Sequence, residues 1–559
     1  MTFIGSPSTI VREFDASLTI PMLASSIVGM AGSFKWGSCF KRVQVNSENE
    51  LLANSRGPVS GNAQDWFSAS EFLRYAQNLW IVRAVDADTA KNSGITVNDE
   101  DQVESTKTMG TPLYIPNTSS IPTVSFASGE KLHIVAKYPG ALGNSILKVS
   151  LATADDFATA EVLDGLTFAE VFDYAPISGT YDYYDQLAIV VQVKNINDAN
   201  FQIVEKWLVD LDPDAKDEYG KSNYIENVIN NRSNWIYAFD NASNAKSPKS
   251  FEETLLESGV DGDPATGDIQ LGYDLFNNPE DFDVNVLIDG GNTNETIQSY
   301  IVDICEARKD CIAILSIPED EMVGIAIATA ISNCTTYRNT TLNKNSTYAA
   351  IYANAKRIYD KYNDTYHWIP ISGDIAGIIA ETDRATEPWY APAGLNRGQI
   401  RNALELAISP SKGYRDTLYQ NSINPVVGFK GEGSVVWGQK TMTNRPTAFS
   451  RINVRRLFLV LEKSIATASK YMLFEFNDAY QRNLFKMMVD PFLKRVLARR
   501  GIYEYVVICD ETNNTPSVID NNEFVGDIYI KPARAIEGIY LNFVAVPTGV
   551  SFNEIIRPR

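Results

Sequence analysis

The chain has 559 residues and a formal charge of −20, with 44% hydrophobic and 21% charged residues. Such a length predicts about three to five domains, and the apolar content excludes a disordered chain because enough surface can be buried to offset the entropy of ordering. A pI near 4.7 argues against direct nucleic-acid binding, since phosphate recognition needs a basic face.

Residues 1–20 read as an extended arm. Ile10, Val11 and Phe14 alternate loosely with Arg12 and Glu13 between Pro7 and Pro21, and the arm has no core of its own. The opening MTFIGSPSTIVREF lacks a basic segment followed by an apolar one, so no signal peptide is expected. Residues 21–94 form a first α/β piece: strand-like SSIVGMAG, turn-rich KWGSCFKRVQV, a helix over 65–78 carrying Trp66, Phe67, Phe72, Leu73 and Tyr75, then the strand LWIVRAV. A polar stretch from Ala90 to about Ser125 follows. Residues 95–255 read as a β-rich domain inserted into the first, with KLHIVAKY, SILKVSLA and LAIVVQVK as strands.

The α/β pattern resumes over 256–423, where strand and helix candidates alternate: DVNVLIDGG, TIQSYIVDICEARK, DCIAILSIP, EDEMVGIAIATAIS and STYAAIYA. Near-continuous apolar strands separated by helices predict a sheet with helices on its faces. Residues 424–535 make a C-terminal domain, with the helix-like INVRRLFLVLEKSIATASKYMLFEF and a second helix headed by Pro491. Residues 536–559 form a β segment and linking arm, with alternating runs on either side of Pro547, Thr548 and Gly549 and the apolar positions Phe552, Ile555 and Ile556. The fold class expected is α/β within an α+β multidomain chain.

Charge is uneven. Residues 251–290 hold eleven acidic residues and no Lys or Arg, whereas residues 451–500 hold eleven basic residues against four acidic ones. Part of that excess lies on the Pro491 helix, where Asp490 suits the N-cap, Pro491 the first helical position and Gly501 a left-handed closing residue. Phe492, Leu493, Val496 and Leu497 make its apolar side, with Lys494, Arg495, Arg499 and Arg500 as the cationic residues. A solvated surface helix and a helix docked on an acidic partner both fit.

Chemical motifs are sparse. Cys39, Cys305, Cys311, Cys334 and Cys509 are scattered and read as reduced thiols. His133 and His367 fall in separate domains, and HExxH, GxSxG, GxGxxG and GKS/T are absent. Ser409 and Lys412 spell SxxK in a loop without its companion motifs. Asp261, Asp263 and Asp268 are spaced as in a calcium loop, but position twelve is Gly272. Gly290 and Gly291 after a strand read as a plain turn. No cofactor and no metal are expected, and no direct membrane insertion. Two readings from other classes remain: a hydrolase acting on envelope carbohydrate, and a sugar-binding module with Trp207, Trp235 and TYDYYDQ as its platform. In PWYAPAG, Pro388, Trp389, Tyr390, Pro392 and Gly394 predict a rigid aromatic turn.

Several stretches resemble the contractile phage tail sheath family. Near the N-terminus they are SPSTIVREFDASLTIP, GSFKWGSCFKRVQVNSENEL and DWFSASEFLRYAQNLWIVRAV; in the middle VLIDGG, ICEARKDCIAILSIP and TDRATEPWYAPAG. Later come VVWGQKTM, INVRRLFLVLEKSI, FEFND, PFLKRVLARRGIYEYVVICDETNN and GDIYIKPARAIEGIYLNFVAV. Residues 95–255 show no such likeness. The resemblance implies a non-enzymatic subunit of a virion tail, assembled in the host cytoplasm as a helical or stacked-ring homopolymer around a tail tube protein, with baseplate and tail-terminator proteins as further partners. It also implies contraction that drives the tube through the host envelope, and arms that exchange strands between neighbours; a phage-derived injection particle is the alternative within the family. The arms at Ile10, Val11, Phe14, Phe552, Ile555 and Ile556 would then link subunits, and Lys494, Arg495, Arg499 and Arg500 would face the tube. Pairing of the arms within their own chain is the other possibility.

Overall fold

A computed structural model describes residues 20, 26–163, 165–176, 186–194, 200–217 and 219–541. The chain divides into two compact units at residue 475/476. Residues 10, 11, 14, 552, 555 and 556, named above for the arms, lie outside the described residues.

The first unit opens with β1 (Val28–Gly32), β2 (Arg42–Val45), α1 (Glu48–Ser55), α2 (Ala63–Leu73) and β3 (Leu79–Arg83). The chain then builds β4 (Asn92–Asn98), β5 (Thr106–Thr108), β6 (Glu130–Pro139), α3 (Gly143–Ile146), β7 (Leu147–Ala152), β8 (Glu161–Leu163), β9 (Leu166–Thr167), α4 (Phe168–Val171), β10 (Gln186–Lys194), β11 (Phe201–Asp210), α5 (Ile225–Arg232), β12 (Ile236–Asp240) and β13 (Phe251–Leu255). Eight of these strands form two antiparallel sheets of four, ordered β11-β10-β7-β13 and β12-β6-β4-β5. Period-two alternation sends Leu132 and Ile134 of one sheet and Val149, Leu151, Ile189 and Val191 of the other into one shared core. The chain enters and leaves this sandwich side by side, through bridges between Lys91 and Val260 and between Gly94 and Glu257. Arg83 staples the entrance, donating to the carbonyls of Phe34, Gly37 and Pro139.

Beyond the sandwich come α6 (Thr266–Asp274), β14 (Val286–Ile288), α7 (Glu295–Arg308), β15 (Ile312–Ser316), α8 (Ile327–Thr336), β16 (Ala349–Ala353), β17 (Ala355–Asp360), β18 (Thr365–Pro370), α9 (Ser372–Ala385), β19 (Glu405–Leu406), α10 (Lys412–Gln420), β20 (Ile423–Phe429), β21 (Gly433–Val436) and α11 (Ile452–Ser469). The main sheet has eight strands in the order β2-β3-β1-β14-β15-β16-β20-β21. Its inner strands run parallel, and β2 and β21 close its edges antiparallel. A parallel sheet needs cover on both faces. Met30, Ile288 and Ile314 point to the face covered by Trp66 and Phe72 of α2 and Ile375 and Ile379 of α9. Their neighbours Ala31, Leu287 and Ala313 point to the other, under Tyr273, Ile301, Ile331 and Leu418 of α6, α7, α8 and α10. The α/β class expected from the strand and helix pattern is the one observed.

Three expectations about boundaries need correction. The helix expected over 65–78 ends at Leu73, because the chain must turn at Asn78, with φ of +69°, to enter β3. The helix expected from Glu319 is one tight turn over Glu319–Glu321 and resumes only at Ile327, with Gly324 at a φ of +72° between them. The boundary expected between residues 423 and 424 falls inside β20, which pairs with β16 and belongs to the main sheet.

All five cysteines are buried free thiols. At the strand ends, Asp289 is fully buried, accepting at Oδ2 from the Ser316 amide (2.8 Å) and from Gln298 Nε2 (2.8 Å). Burial pushes this carboxyl up to about 7. Because the folded value lies above the unfolded one, the folded chain holds a proton that the unfolded chain has released. The stability so contributed is full below about pH 4, falls as pH rises and is gone above about pH 7. Urea midpoints of wild type are therefore expected to drop between about pH 5 and about pH 8, and Asp289→Asn should reduce that drop; an unchanged drop would count against this assignment.

Candidate assembly surfaces

The second unit is built on α12 (Ala479–Ala498), β22 (Ile502–Ile508), α13 (Pro516–Asp520) and β23 (Asp527–Pro532). Asp478 caps α12, its Oδ1 accepting from the Gln481 amide at 2.8 Å. The expected start at Asp490 is incorrect: α12 is twenty residues long and passes straight through Pro491. Pro491 supplies no N–H for the carbonyl four residues back, a fault costing about 3 kcal/mol in a helix interior. The continuous apolar stripe of Phe485, Met488, Val489, Phe492, Leu493 and Val496 offsets it by burial. Asp490 accepts instead from the Tyr505 hydroxyl (2.7 Å) and pairs with Lys494 (2.6 Å). At the other end, Arg500 takes the left-handed conformation expected of Gly501, at φ of +65°. The amides of Arg500 and Gly501 donate back to Leu497 and Val496, closing a Schellman turn.

Lys494 and Arg495 are exposed on the last turns of α12, and Arg499 and Arg500 are exposed just past its end. Lys494 leans on Asp490, and the Arg495 guanidinium sits 5.6 Å from the Phe492 ring centroid. Leu497, expected on the apolar side, is exposed. Cations at a helix C-terminus meet the negative end of its dipole, so the position is favourable before any partner binds.

β22 and β23 pair antiparallel, with Tyr505 opposite Ile530 and Ile508 opposite Asp527. Their connection is pinned by buried Asn514, which exchanges hydrogen bonds with the backbone of Val525 at 2.8 and 2.9 Å. The hairpin is a sheet of only two strands, so both outer edges carry unmatched backbone groups among the described residues. Tyr503, Val506 and Tyr529 on it are exposed, as are Ile536, Ile539, Tyr540 and Leu541 after it. Sequence reasoning missed further exposed apolar residues, Tyr471, Leu473 and Phe474 at the end of the first unit and Phe476 and Tyr480 at the start of the second. Their signal was the aromatic density of YMLFEFNDAY.

Elsewhere the motif residues have structural employment. Asp261 and Asp263 pair with Lys35 at 3.1 and 2.7 Å, and Asp268 accepts from the Ala265 amide at the start of α6. Among the described residues no group of His, Cys, Asp and Glu could hold a metal ion, and no helix is long and apolar enough to cross a membrane. Gly291 donates to Asp65, which also accepts from the Ser33 amide; a Cβ on Gly291 would meet Asp65 N at 2.8 Å. Trp207 and Trp235 are partly buried against the sandwich core, and residues 180–185 of TYDYYDQ lie outside the described residues. In the 388–394 turn Trp389 is buried, Gly394 donates to Val436, and Arg456 holds the Pro388 carbonyl. A cleft of about 710 Å³ opens outside the ends of β1 and β14, where α/β sheets often hold ligands. Its carboxylates are engaged, Asp65 by backbone amides, Asp263 by Lys35 and Glu319 by Gln64.

Open strand edges, a cationic helix end and exposed aromatic positions are the surface features that the described residues of the second unit present. The family model of the phage tail sheath protein central domain matches residues 264–442, and that of the phage tail sheath C-terminal domain matches residues 444–545. The tail sheath protein of Enterobacteria phage T4 is 34% identical over 98% of this chain and 99% of its own. That of Vibrio phage KVP40 is 32% identical over 99% of each. The sheath tail protein of Listeria innocua, at 10% identity, shares the fold with a TM-score of 0.55 over 92% of this chain and 98% of its own. The Desulfitobacterium hafniense sheath tail protein gives 0.53 at 14% identity, covering 90% and 94%. The chain belongs to the phage tail sheath family.

Replacing Pro491 separates the observed helix from the expected one. Pro491→Ala is expected to stabilise the chain by about 1–3 kcal/mol in urea unfolding, by restoring an interior hydrogen bond. A loss of stability would indicate a helix starting at Asp490.

Proposed function

We propose that the chain is the repeating subunit of a contractile tail sheath, which polymerises around a tail tube and contracts to drive that tube through a host envelope for genome delivery. The observation that carries this reading is likeness to phage tail sheath proteins along essentially the whole chain. Those relatives favour a phage virion over a phage-derived injection particle. The role is structural, and no catalytic residue is assigned.

The division of labour within the subunit follows from physical constraints. A two-stranded hairpin with both edges open is an acceptor for added strands, and the segments at residues 1–20 and 536–559 are the donors. Each added strand contributes about 0.5–1.5 kcal/mol net per ladder bond, so one junction is modest and a repeated mesh is strong. Contacts passed head to tail in this way do not close and generate a filament. Lys494, Arg495, Arg499 and Arg500 face the tube, and residues 95–255 face outward. Baseplate and tail-terminator proteins cap the two ends, and assembly takes place in the host cytoplasm.

Deleting residues 1–18, or everything after Val546, is expected to leave a folded chain that forms no long sheaths. Normal sheath lengths by negative-stain microscopy would sink the linking role of the arms. Reversing Arg495 and Arg499 to Glu should weaken co-sedimentation with tubes, increasingly so as salt is lowered; unchanged co-sedimentation at every salt concentration would remove the tube contact from α12.

A further inference from the structure

Three ionisable side chains from three elements of the first unit meet out of reach of bulk solvent. Lys356 of β17, Glu71 of α2 and Asp374 of α9 are each wholly inaccessible to solvent. Lys356 Nζ lies 2.8 Å from Glu71 Oε2 and 2.9 Å from Asp374 Oδ1, and its third bond goes to the Arg401 carbonyl at 3.0 Å. Asp374 Oδ1 also accepts from the Tyr75 hydroxyl at 2.9 Å, whereas its buried Oδ2 has no hydrogen-bond partner. Glu71 Oε1 is held by Arg74 and Asn402. Phe72, Ile358, Ile371 and Ile375 belong to the core around them.

An ion pair in such a place loses its hydration and regains little unless every lone pair is matched, and Asp374 Oδ2 is not matched. Burial pushes the Asp374 carboxyl up to about 6, against the pull of Lys356. A dry amine held against a carboxyl group is also the reactant pair of amide condensation, and fixed contact supplies the high effective concentration that the reaction needs. The product is neutral, so condensation removes two buried ionisable groups at once.

We propose that Lys356 and Asp374 condense into an intramolecular isopeptide bond, with Glu71 as the proton carrier. Starting from the Lys356 ammonium and the Asp374 carboxylate, Glu71 Oε2 takes a proton from Nζ and passes it to Asp374 Oδ2, and the freed Nζ pair then forms a bond to Cγ of the neutral acid. The carbonyl electron pair moves onto Oδ1, where the Tyr75 hydroxyl holds the developing charge. Two protons in all pass from Nζ through Glu71 to Oδ2. The Cγ–Oδ2 bond breaks, water leaves, an amide N–H remains, and Glu71 ends as it began. No oxidant or reductant is involved. The bond ties β17 to α9 across 18 positions of chain, enclosing β18.

The test is mass spectrometry of the full-length chain, purified folded, held at neutral pH and then denatured. The expected result is a mass lower than the sequence mass by one water, with a branched tryptic peptide joining Lys356 to Asp374 and no cleavage after Lys356. Cyclisation at Asp289-Gly290 would also lose water, so the branched peptide decides. Glu71→Gln, which keeps the size of the side chain, should fold by circular dichroism and carry no branched peptide. A wild-type digest with cleavage after Lys356 and no branched peptide overturns the proposal. A folded Glu71→Gln chain that is still crosslinked overturns the assignment of Glu71. None of these readouts depends on sheath assembly.

Discussion

The seam between β1 and β14 joins parts of the chain 258 positions apart, where the Ile27 amide meets the side chain of Asn285 at 3.1 Å. The seam lies inside the main sheet, flanked by β3 and β15, and the sandwich of β4 to β13 is made between its two halves. Asp65 closes the seam at its far end. Its carboxylate accepts from Ser33 after β1 and from Gly291 and Asn292 after β14, and its backbone belongs to α2. One buried side chain thus fixes two strand ends and a helix, and the close approach of Gly291 is what leaves room for it. A sheet so anchored can carry a large excursion without losing its own pairing, because the excursion leaves and returns through adjacent segments bridged at Lys91 and Val260.

The second unit answers a different constraint. With one helix laid on a two-stranded hairpin it has little core, and that core is the stripe from Phe485 to Val496. A stripe of that length tolerates a proline in its middle. The bond from Tyr505 to Asp490 then fixes the hairpin against the helix beside the proline, where the backbone lacks a bond of its own.

Much of the first unit was legible from local pattern. Val28–Gly32, Leu79–Arg83, Val286–Ile288 and Ile312–Ser316 are apolar enough to read as covered strands, and all of them are strands of the main sheet. What local pattern could not carry was long-range pairing. Nothing in INPVVGF announces that it pairs with Ala349–Ala353, so a boundary was drawn through it. Pro491 was misread for a related reason: Asp-Pro followed by an apolar period is a good helix start, and only the preceding turns, packed on β22, show that the helix was already running. The cationic residues were legible as a cluster and are exposed as one, while the two carboxylates around Lys356 were invisible because Glu71 and Asp374 lie 285 and 18 positions from it in sequence.

The five thiols bear on what happens to the protein outside a cell. Each is buried and free, and burial raises those of Cys39, Cys305, Cys334 and Cys509 above their ordinary range, Cys334 to about 12. Oxidation and disulfide exchange proceed through the thiolate and need access to it. The four thiols so raised are kept both protonated and sealed, and so are slow to react on passing from the reducing compartment where thiols persist to aerated water. Shelf life, for such a chain, is a property of its core packing.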